Sequence, residues 1–324
     1  MKNEAGPRRI SVIVPVYNSS LVLPQLVTEL EEALPNCAQE FELILVNDAS
    51  PDESWQLITE LAQERSWIRG ISLMRNVGQH NALLCGIRAA KYEIVVTMDD
   101  DLQNPPSEIP RLLVKLKEGF DVVYGVPEHE QHGLLRDLAS KITKIVLQNA
   151  MGADIAQKIS SFRVFRTQVR DAFQQYRGPF VSVDVLLTWG TTRFGALTVR
   201  HDSRREGVSG YSLRALVLHA LNMMTGFSVL PLQIASLIGF AFTIFGLLTL
   251  AFVISRYLVD GSPVPGFPFL ASIIAIFSGA QLFALGIIGE YLARMHFRLM
   301  DRLPYVISAE VSNQAAIAGD IIRK

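Results

Sequence analysis

Three consecutive carboxylates, Asp99-Asp100-Asp101, follow directly on the apolar run 94–98. Side chains alternate in an extended chain, so Asp99 and Asp101 are expected on one side and Asp100 on the other. Two neighbouring carboxylates repel each other unless a cation sits between them. A hard divalent cation, Mg2+ or Mn2+, bridged to a diphosphate would satisfy both charges. The other reading of such a run is a solvated acidic turn; its place at the end of a buried strand favours the metal.

Two further polar groups stand in similar places. Asn47-Asp48-Ala49-Ser50 follows the run 41–46, where Asp48 can accept a hydrogen bond from a base edge, or the group can cap a helix. Arg75-Asn76-Val77-Gly78-Gln79-His80 leads into a helical pattern and can bring backbone N–H groups and a guanidinium to an anion. His80 reads better as a structural residue than as a catalytic one. No G-x-G-x-x-G follows the first apolar run and no P-loop lysine motif occurs, which argues against dinucleotide and ATP binding.

The elements that must position these groups alternate in type. Short apolar, β-branched runs at 10–16, 41–46, 69–73, 94–98 and 122–124 predict strands. Helical patterns lie between them at 23–34, 53–63, 79–90 and 107–118. This is the pattern of βαβ units and a mostly parallel sheet, buried on both faces. Ligands bind such sheets beyond the carboxyl ends of the strands, where the polar groups fall. A less regular stretch follows, with a helix expected at 134–151 and strands near 160–165 and 196–200.

Residues 211–228 place apolar side chains on one helical face, as an interfacial helix does. The run 229–255 is then uncharged for about 27 residues, and 261–289 is a second apolar run; about 20 residues suffice to span a bilayer. The connector at 259–266 lacks Lys and Arg, whereas Arg204, Arg205, Arg214, Arg294, Arg298 and Arg302 flank the other ends. The positive-inside rule then puts both termini in the cytoplasm. A formal net charge of −1 gives no nucleic-acid footprint, and the two cysteines, Cys37 and Cys85, have no metal-ligand or disulfide-framework spacing. The expected divisions are a catalytic domain (1–210), a juxtamembrane helix (211–228), a transmembrane hairpin (229–296) and a cytoplasmic tail (297–324).

In order along the chain stand Val14-Pro15-Val16-Tyr17-Asn18, Asn47-Asp48-Ala49-Ser50, Arg75-Asn76-Val77-Gly78-Gln79 and Asp99-Asp100-Asp101-Leu102-Gln103-Asn104-Pro105-Pro106. As a set they resemble inverting family 2 glycosyltransferases with a GT-A-type, Rossmann-like fold. The resemblance runs over about residues 10–307. It is nearest to the polyprenyl-phosphate branch: dolichyl-phosphate mannose synthases, bactoprenol glucosyltransferases and undecaprenyl-phosphate formamido-arabinose transferases.

That resemblance implies a nucleotide-sugar donor, favouring uridine, a polyprenyl (undecaprenyl) phosphate acceptor, contact with membrane lipid, a bacterial inner-membrane setting and room for a homo-oligomer. It implies that Pro15, Tyr17, Asn18, Asp48, Arg75, Asp99, Asp100 and Gln103 bind the nucleotide-sugar, with Asp48 reading the base. Asp99 and Asp101 would hold Mg2+ or Mn2+. Asp101, Arg163 and Arg204 would act at the reacting phosphates, and Arg136, Ser140 and Arg204 would grip the acceptor phosphate.

Four positions depart from the family pattern. Ser19 stands where Glu is usual, Asp100 where Ala is usual and Gly210 where Lys is usual. Ser161 replaces an Asp that is the proposed catalytic base of the family. A phosphate monoester, with its second pKa at roughly 6, is already mostly dianionic near neutral pH, so activity is expected to survive Ser161. Two rival readings remain. A processive polysaccharide synthase would carry Gln-x-x-Arg-Trp, absent here. A non-catalytic subunit that keeps the fold is motivated by Ser161 and Gly210.

Overall fold

The computed structural model describes residues 9–127, 158–178, 181–202, 230–260 and 266–313. The helices expected at 134–151 and 211–228 lie outside these residues. An eight-stranded sheet in the order β7-β5-β6-β4-β1-β2-β3-β8 forms the centre. Its strands are β1 (Arg9–Val16), β2 (Glu40–Asn47), β3 (Ile68–Leu73), β4 (Ile94–Thr97), β5 (Val122–Pro127), β6 (Arg163–Arg166), β7 (Phe194–Val199) and β8 (Ile307–Ser312). β1 runs parallel to β2 and β4, β2 to β3, and β5 to β7. β6 is antiparallel between β4 and β5, and β8 is antiparallel on β3.

Alternation along the strands divides the core into two layers. Ile10, Val12, Val14 and Val16 face one layer, with Leu43, Leu45, Val96 and Met98. That layer is closed by α1 (Leu23–Ala33), α2 (Ser54–Glu64) and α4 (Ile109–Leu116). Ile13, Ile44, Val46 and Val95 face the other, against α3 (Gln79–Ala89) and α5 (Val183–Gly190). The helices follow from their spacing: α1 buries Leu23, Leu26, Val27 and Leu30, and α4 buries Ile109, Leu112, Leu113 and Leu116, each a single stripe. Both start with a proline in the first turn, where its missing N–H costs nothing.

Helix α3 lies unusually close to the sheet. A Cβ on Gly86 would sit 2.3 Å from Ile13 Cγ2, so only glycine allows this approach. The close packing sets the N-terminal end of α3 beside the carboxyl ends of β1 and β4. The chain leaves β1 towards β2 on one side while β4 lies on the other, and the crevice between them is the usual ligand position of such a sheet.

Two long helices carry the apolar runs, α6 (Leu230–Asp260) and α7 (Phe267–Leu299). The stretches Pro231–Thr249 and Ile276–His296 have mean hydropathies of 1.9 and 1.4 and are long and apolar enough to cross a membrane. Their large side chains face outward, among them Leu237, Phe240, Leu248, Leu282 and Phe283. A soluble protein would cover such a surface. Phe242 and Phe277 pack against each other between the two helices, with ring centroids 5.6 Å apart.

Beyond α7 the chain returns to the sheet. Tyr305 packs into the layer under α3, with the Arg88 guanidinium 5.8 Å from its ring centre, and β8 then pairs with the edge strand β3. Arg177 and Asp301 form an exposed ion pair on the way, at 2.6 Å. Strand β8 has no counterpart among the strands expected from the sequence.

Candidate active site

A cleft of about 260 Å3 opens at the carboxyl ends of β1, β2 and β4. Pro15, Val16, Tyr17, Asp48, Asn76, Gly78, Gln79, Asp99, Asp100 and Asp101 line it. Four short loops, those after β1, β2, β3 and β4, therefore converge, where the polar groups of the sequence fall. Among the described residues, four non-glycine residues have positive φ, and three of them stand just past these strands: Asn18 (58°), Ala49 (53°) and Leu102 (59°). Such backbone costs on the order of 1–3 kcal/mol per residue and is held only where surrounding contacts enforce it.

Those contacts are specific. Asp48 is buried, and its two oxygens accept the backbone N–H groups of Val77 and Gly78, both at 2.8 Å. It thereby fixes the β3–α3 loop. Burial pushes its pKa up from the usual carboxylate value, against the opposing pull of the two amides. Gly78 has φ 89°, a conformation that side chains rarely adopt, at the turn where the loop enters α3.

The acidic turn is equally ordered. β4 ends at Thr97, so the three aspartates sit on a bend beyond the strand, and all three reach the cleft. Asp99 accepts Gln79 Nε2 on Oδ1 and the Ser161 hydroxyl on Oδ2, each at 2.5 Å. Asp101 Oδ1 accepts the backbone N–H of Gln103 at 3.1 Å. Asp100 is expected on the opposite side from its neighbours, but beyond the strand end alternation no longer applies: it lines the same cleft and accepts the Ser19 hydroxyl and the Tyr17 N–H. Burial raises its pKa to about 6; the Ser19 hydrogen bond pulls it down and the charges of Asp99 and Asp101 push it up.

Asp99 and Asp101 present only oxygen donors, which suits a hard cation such as Mg2+ or Mn2+. Among the described residues no three His, Cys, Asp or Glu side chains group to hold a metal. A cation here would complete its shell from phosphate oxygens and water, the usual arrangement for Mg2+.

Not every residue expected at the site lines the cleft. Asn18 hydrogen-bonds through its N–H to Ser50 Oγ at 3.1 Å, and Asn18 and Arg75, both exposed, and the half-buried Gln103 are outside the lining. Arg163 is a larger difference, because it is buried to 1% exposure instead of facing phosphates. Its guanidinium pairs with Asp184 and lies 5.8 Å from the centre of the Tyr124 ring, whose hydroxyl donates to the same Asp184 at 3.0 Å. The physical reason is that β6 lies inside the sheet with both faces covered, so this position meets the core, where the Asp184 carboxylate pairs with it. Arg136, Ser140 and Arg204 lie outside the described residues.

Sequence reasoning passed over five contributors. In the sequence Ser19 and Ser161 stand out only as departures from the family pattern, and Gln79, Asn76 and Gly78 only as parts of a motif. His80 is outside the cleft lining, and its Nδ1 accepts the Val183 N–H at 3.4 Å.

The family model described as glycosyl transferase family 2 matches residues 11–174. An undecaprenyl-phosphate 4-deoxy-4-formamido-L-arabinose transferase of Pseudomonas savastanoi pv. phaseolicola is 31% identical, over 97% of this chain and 94% of the relative. The enzyme of that name from Yersinia enterocolitica is 33% identical over 94% of each. Among solved structures, glucosyl-3-phosphoglycerate synthase from Mycobacterium tuberculosis, in complex with Mn2+ and UDP, superposes with a TM-score of 0.50. It shares 18% identity and covers 67% of this chain and 78% of that one. Sheet order and these matches together make the fold GT-A-type.

Proposed function

The chain belongs to glycosyl transferase family 2, and on that premise we propose that it moves a sugar from a nucleotide-sugar to a polyprenyl phosphate, with inversion. The observation that carries this reading is the cleft. Tyr17, Asp48 and the Asp99–Asp101 turn converge there, in a chain with two outward-apolar helices of membrane-spanning length. The relatives, named as transferases to undecaprenyl phosphate, support a lipid acceptor of that kind. A uridine diphosphate donor is our expectation, supported by the family. The catalytic domain then sits at the cytoplasmic leaflet, where both donor and lipid phosphate are within reach.

Under this reading Tyr17 and Pro15 wall the nucleoside, and Asp48 holds the β3–α3 loop that closes the cleft opposite them. Asp99 and Asp101 would hold Mg2+ or Mn2+, which when bound offsets the charge of the leaving diphosphate. Gln79 and Ser161 keep Asp99 in a fixed orientation. Arg163, committed to Asp184, also lies with its Nε 3.4 Å from the Ser161 carbonyl and so steadies the segment that presents Ser161. Arg136, Ser140 and Arg204 grip the acceptor phosphate.

The chemistry balances without a base. A phosphate oxygen of the lipid forms a bond to the anomeric carbon while the bond from that carbon to the diphosphate oxygen breaks. The nucleoside diphosphate leaves with the electron pair. Near neutral pH the acceptor is mostly dianionic, so no proton need move before attack. In-line placement and charge compensation supply the acceleration.

The test uses the full chain in detergent with undecaprenyl phosphate, Mn2+ or Mg2+ and a panel of nucleotide-sugars. Nucleoside diphosphate release and the mass of the lipid are followed. A glycosylated lipid with one donor is the expected result and identifies the sugar. Sugar transfer to water or a soluble acceptor, with the lipid unchanged, overturns the lipid-acceptor reading.

A further inference from the structure

The β1–α1 loop has four successive backbone N–H groups, each taken by a side chain from elsewhere. Asn18 N–H goes to Ser50 Oγ at 3.1 Å, Ser19 N–H to Ser54 Oγ at 3.1 Å and Ser20 N–H to Asp52 Oδ2 at 3.0 Å. All three acceptors come from the segment after β2. The fourth, Tyr17 N–H, goes to Asp100 Oδ2 at 3.4 Å, and the Ser19 hydroxyl donates to that same oxygen. Among these four, Asp100 alone ties the loop to the acidic turn.

We propose that Asp100 is a positioning residue that sets Tyr17 relative to Asp99 and Asp101. Tyr17 is half exposed on the cleft wall and Asn18 next to it is left-handed, so this loop does not hold its shape by local preference. The Ser50, Ser54 and Asp52 contacts fix the loop to the β2 side only. Without Asp100, none of these four loop amides reaches the acidic turn. Ser19 belongs to the same device: a carboxylate at position 19 would repel Asp100, whereas a hydroxyl donates to it. The occurrence of Ser19 together with Asp100 in this chain is thus one physical pair, not two separate substitutions. The inference rests on the reading of the cleft as the donor site.

Both donors converge on a single oxygen of Asp100, which makes the idea sharply testable. Asn retains one carbonyl oxygen that can take that place; Ala retains none. The full chain in detergent is compared as wild type, Asp100→Ala, Asp100→Asn, Ser19→Ala and the Ser19→Ala/Asp100→Ala double variant. The first readout is hydrogen–deuterium exchange of the peptide covering residues 15–20, without nucleotide. The second is the dissociation constant for UDP with Mn2+, alongside kcat and KM.

Asp100→Ala is expected to speed exchange of the loop and to weaken UDP about tenfold, the equivalent of about 1.4 kcal/mol at 25 °C. KM for the donor should rise more than kcat falls. Asp100→Asn should stay within about threefold of wild type, and the double variant should be no worse than Asp100→Ala, since the two residues share one interaction. Unchanged exchange in Asp100→Ala overturns the tie. Faster exchange with unchanged UDP affinity overturns its positioning role. Asp100→Asn as weak as Asp100→Ala also overturns it, because charge and not the shared acceptor would then matter. A wild type that fails to bind UDP–Mn2+ counts against the donor-site reading, while the exchange result still decides the tie.

Discussion

The hydroxyl of Ser161 donates to Asp99 Oδ2 across 2.5 Å, so the serine at this position orients a carboxylate that faces the cleft. The contact exists because β6 runs antiparallel to β4, with Arg163 opposite Thr97, which carries Ser161 past the strand end to the acidic turn. Thr97 Oγ1 secures the register by donating to the Ser161 carbonyl at 2.8 Å.

Ser161→Ala removes one hydrogen bond to a charged acceptor, worth about 1.5 kcal/mol or more. Turnover should fall roughly tenfold while the melting temperature moves little. Nucleoside diphosphate release measures the rate, and a wild-type rate in Ser161→Ala would dismiss the orienting role. Ser161→Asp places a further negative charge beside Asp99, so the metal concentration needed for half-maximal rate should fall.

Removal of divalent cations by a chelator should abolish turnover, and Mn2+ or Mg2+ should restore it. Asp101→Asn should lower kcat by at least about a hundredfold, the usual scale for losing one electrostatic contact to the developing charge. Chelator-resistant activity would refute the assignment of Asp99 and Asp101 to a metal.

Arg163→Ala leaves Asp184 charged and buried, which costs about 3–5 kcal/mol. For a domain of this size that lowers the melting temperature by roughly 10 °C. Joint replacement by Arg163→Met and Asp184→Leu should recover much of the loss, because neither charge is then stranded. Thermal melts of the three variants decide this, and a stable single variant would show that the pair is not needed for folding.

Cys85 is buried under Tyr305, and burial pushes its thiol pKa up to about 12. The thiolate is the reactive form, so at pH 8 the folded protein should leave Cys85 unlabelled by iodoacetamide. Denaturation should expose it at once. Tyr305→Ala strips the phenol from above the sulfur and should speed labelling in the folded state; unchanged labelling would mean that the segment after α7 does not shield it.

The sequence made the parallel core legible because its strands are uniformly apolar and its helices each carry one buried stripe. The acidic turn and Asp48 were legible for a related reason, since charge is rare directly after such strands. What escaped was pairing at long range. Ile307–Ser312 is short and only weakly alternating, and its partner β3 ends at residue 73, so nothing local announces the strand. Arg163 suggests phosphate by residue type, whereas the interior place of β6 in the sheet and the distant partner Asp184, which decide the matter, are not visible locally. Ser19 and Ser161 stood out only as deviations; their partners, Asp100 and Asp99, become visible once the loops are brought together.

The antiparallel pairing of β8 with β3 also orders events in time. While the ribosome is still making residues 74–306, the outer edge of β3 has no partner, and both apolar helices must be synthesised before β8 emerges. Completion of the catalytic sheet is thereby a late step of biogenesis, after the membrane helices have become available for insertion. A fragment cut before α6 would keep a bare strand edge, a template for pairing between chains. Expressed alone, the catalytic domain should accumulate as aggregate unless residues 302–313 are fused back onto it.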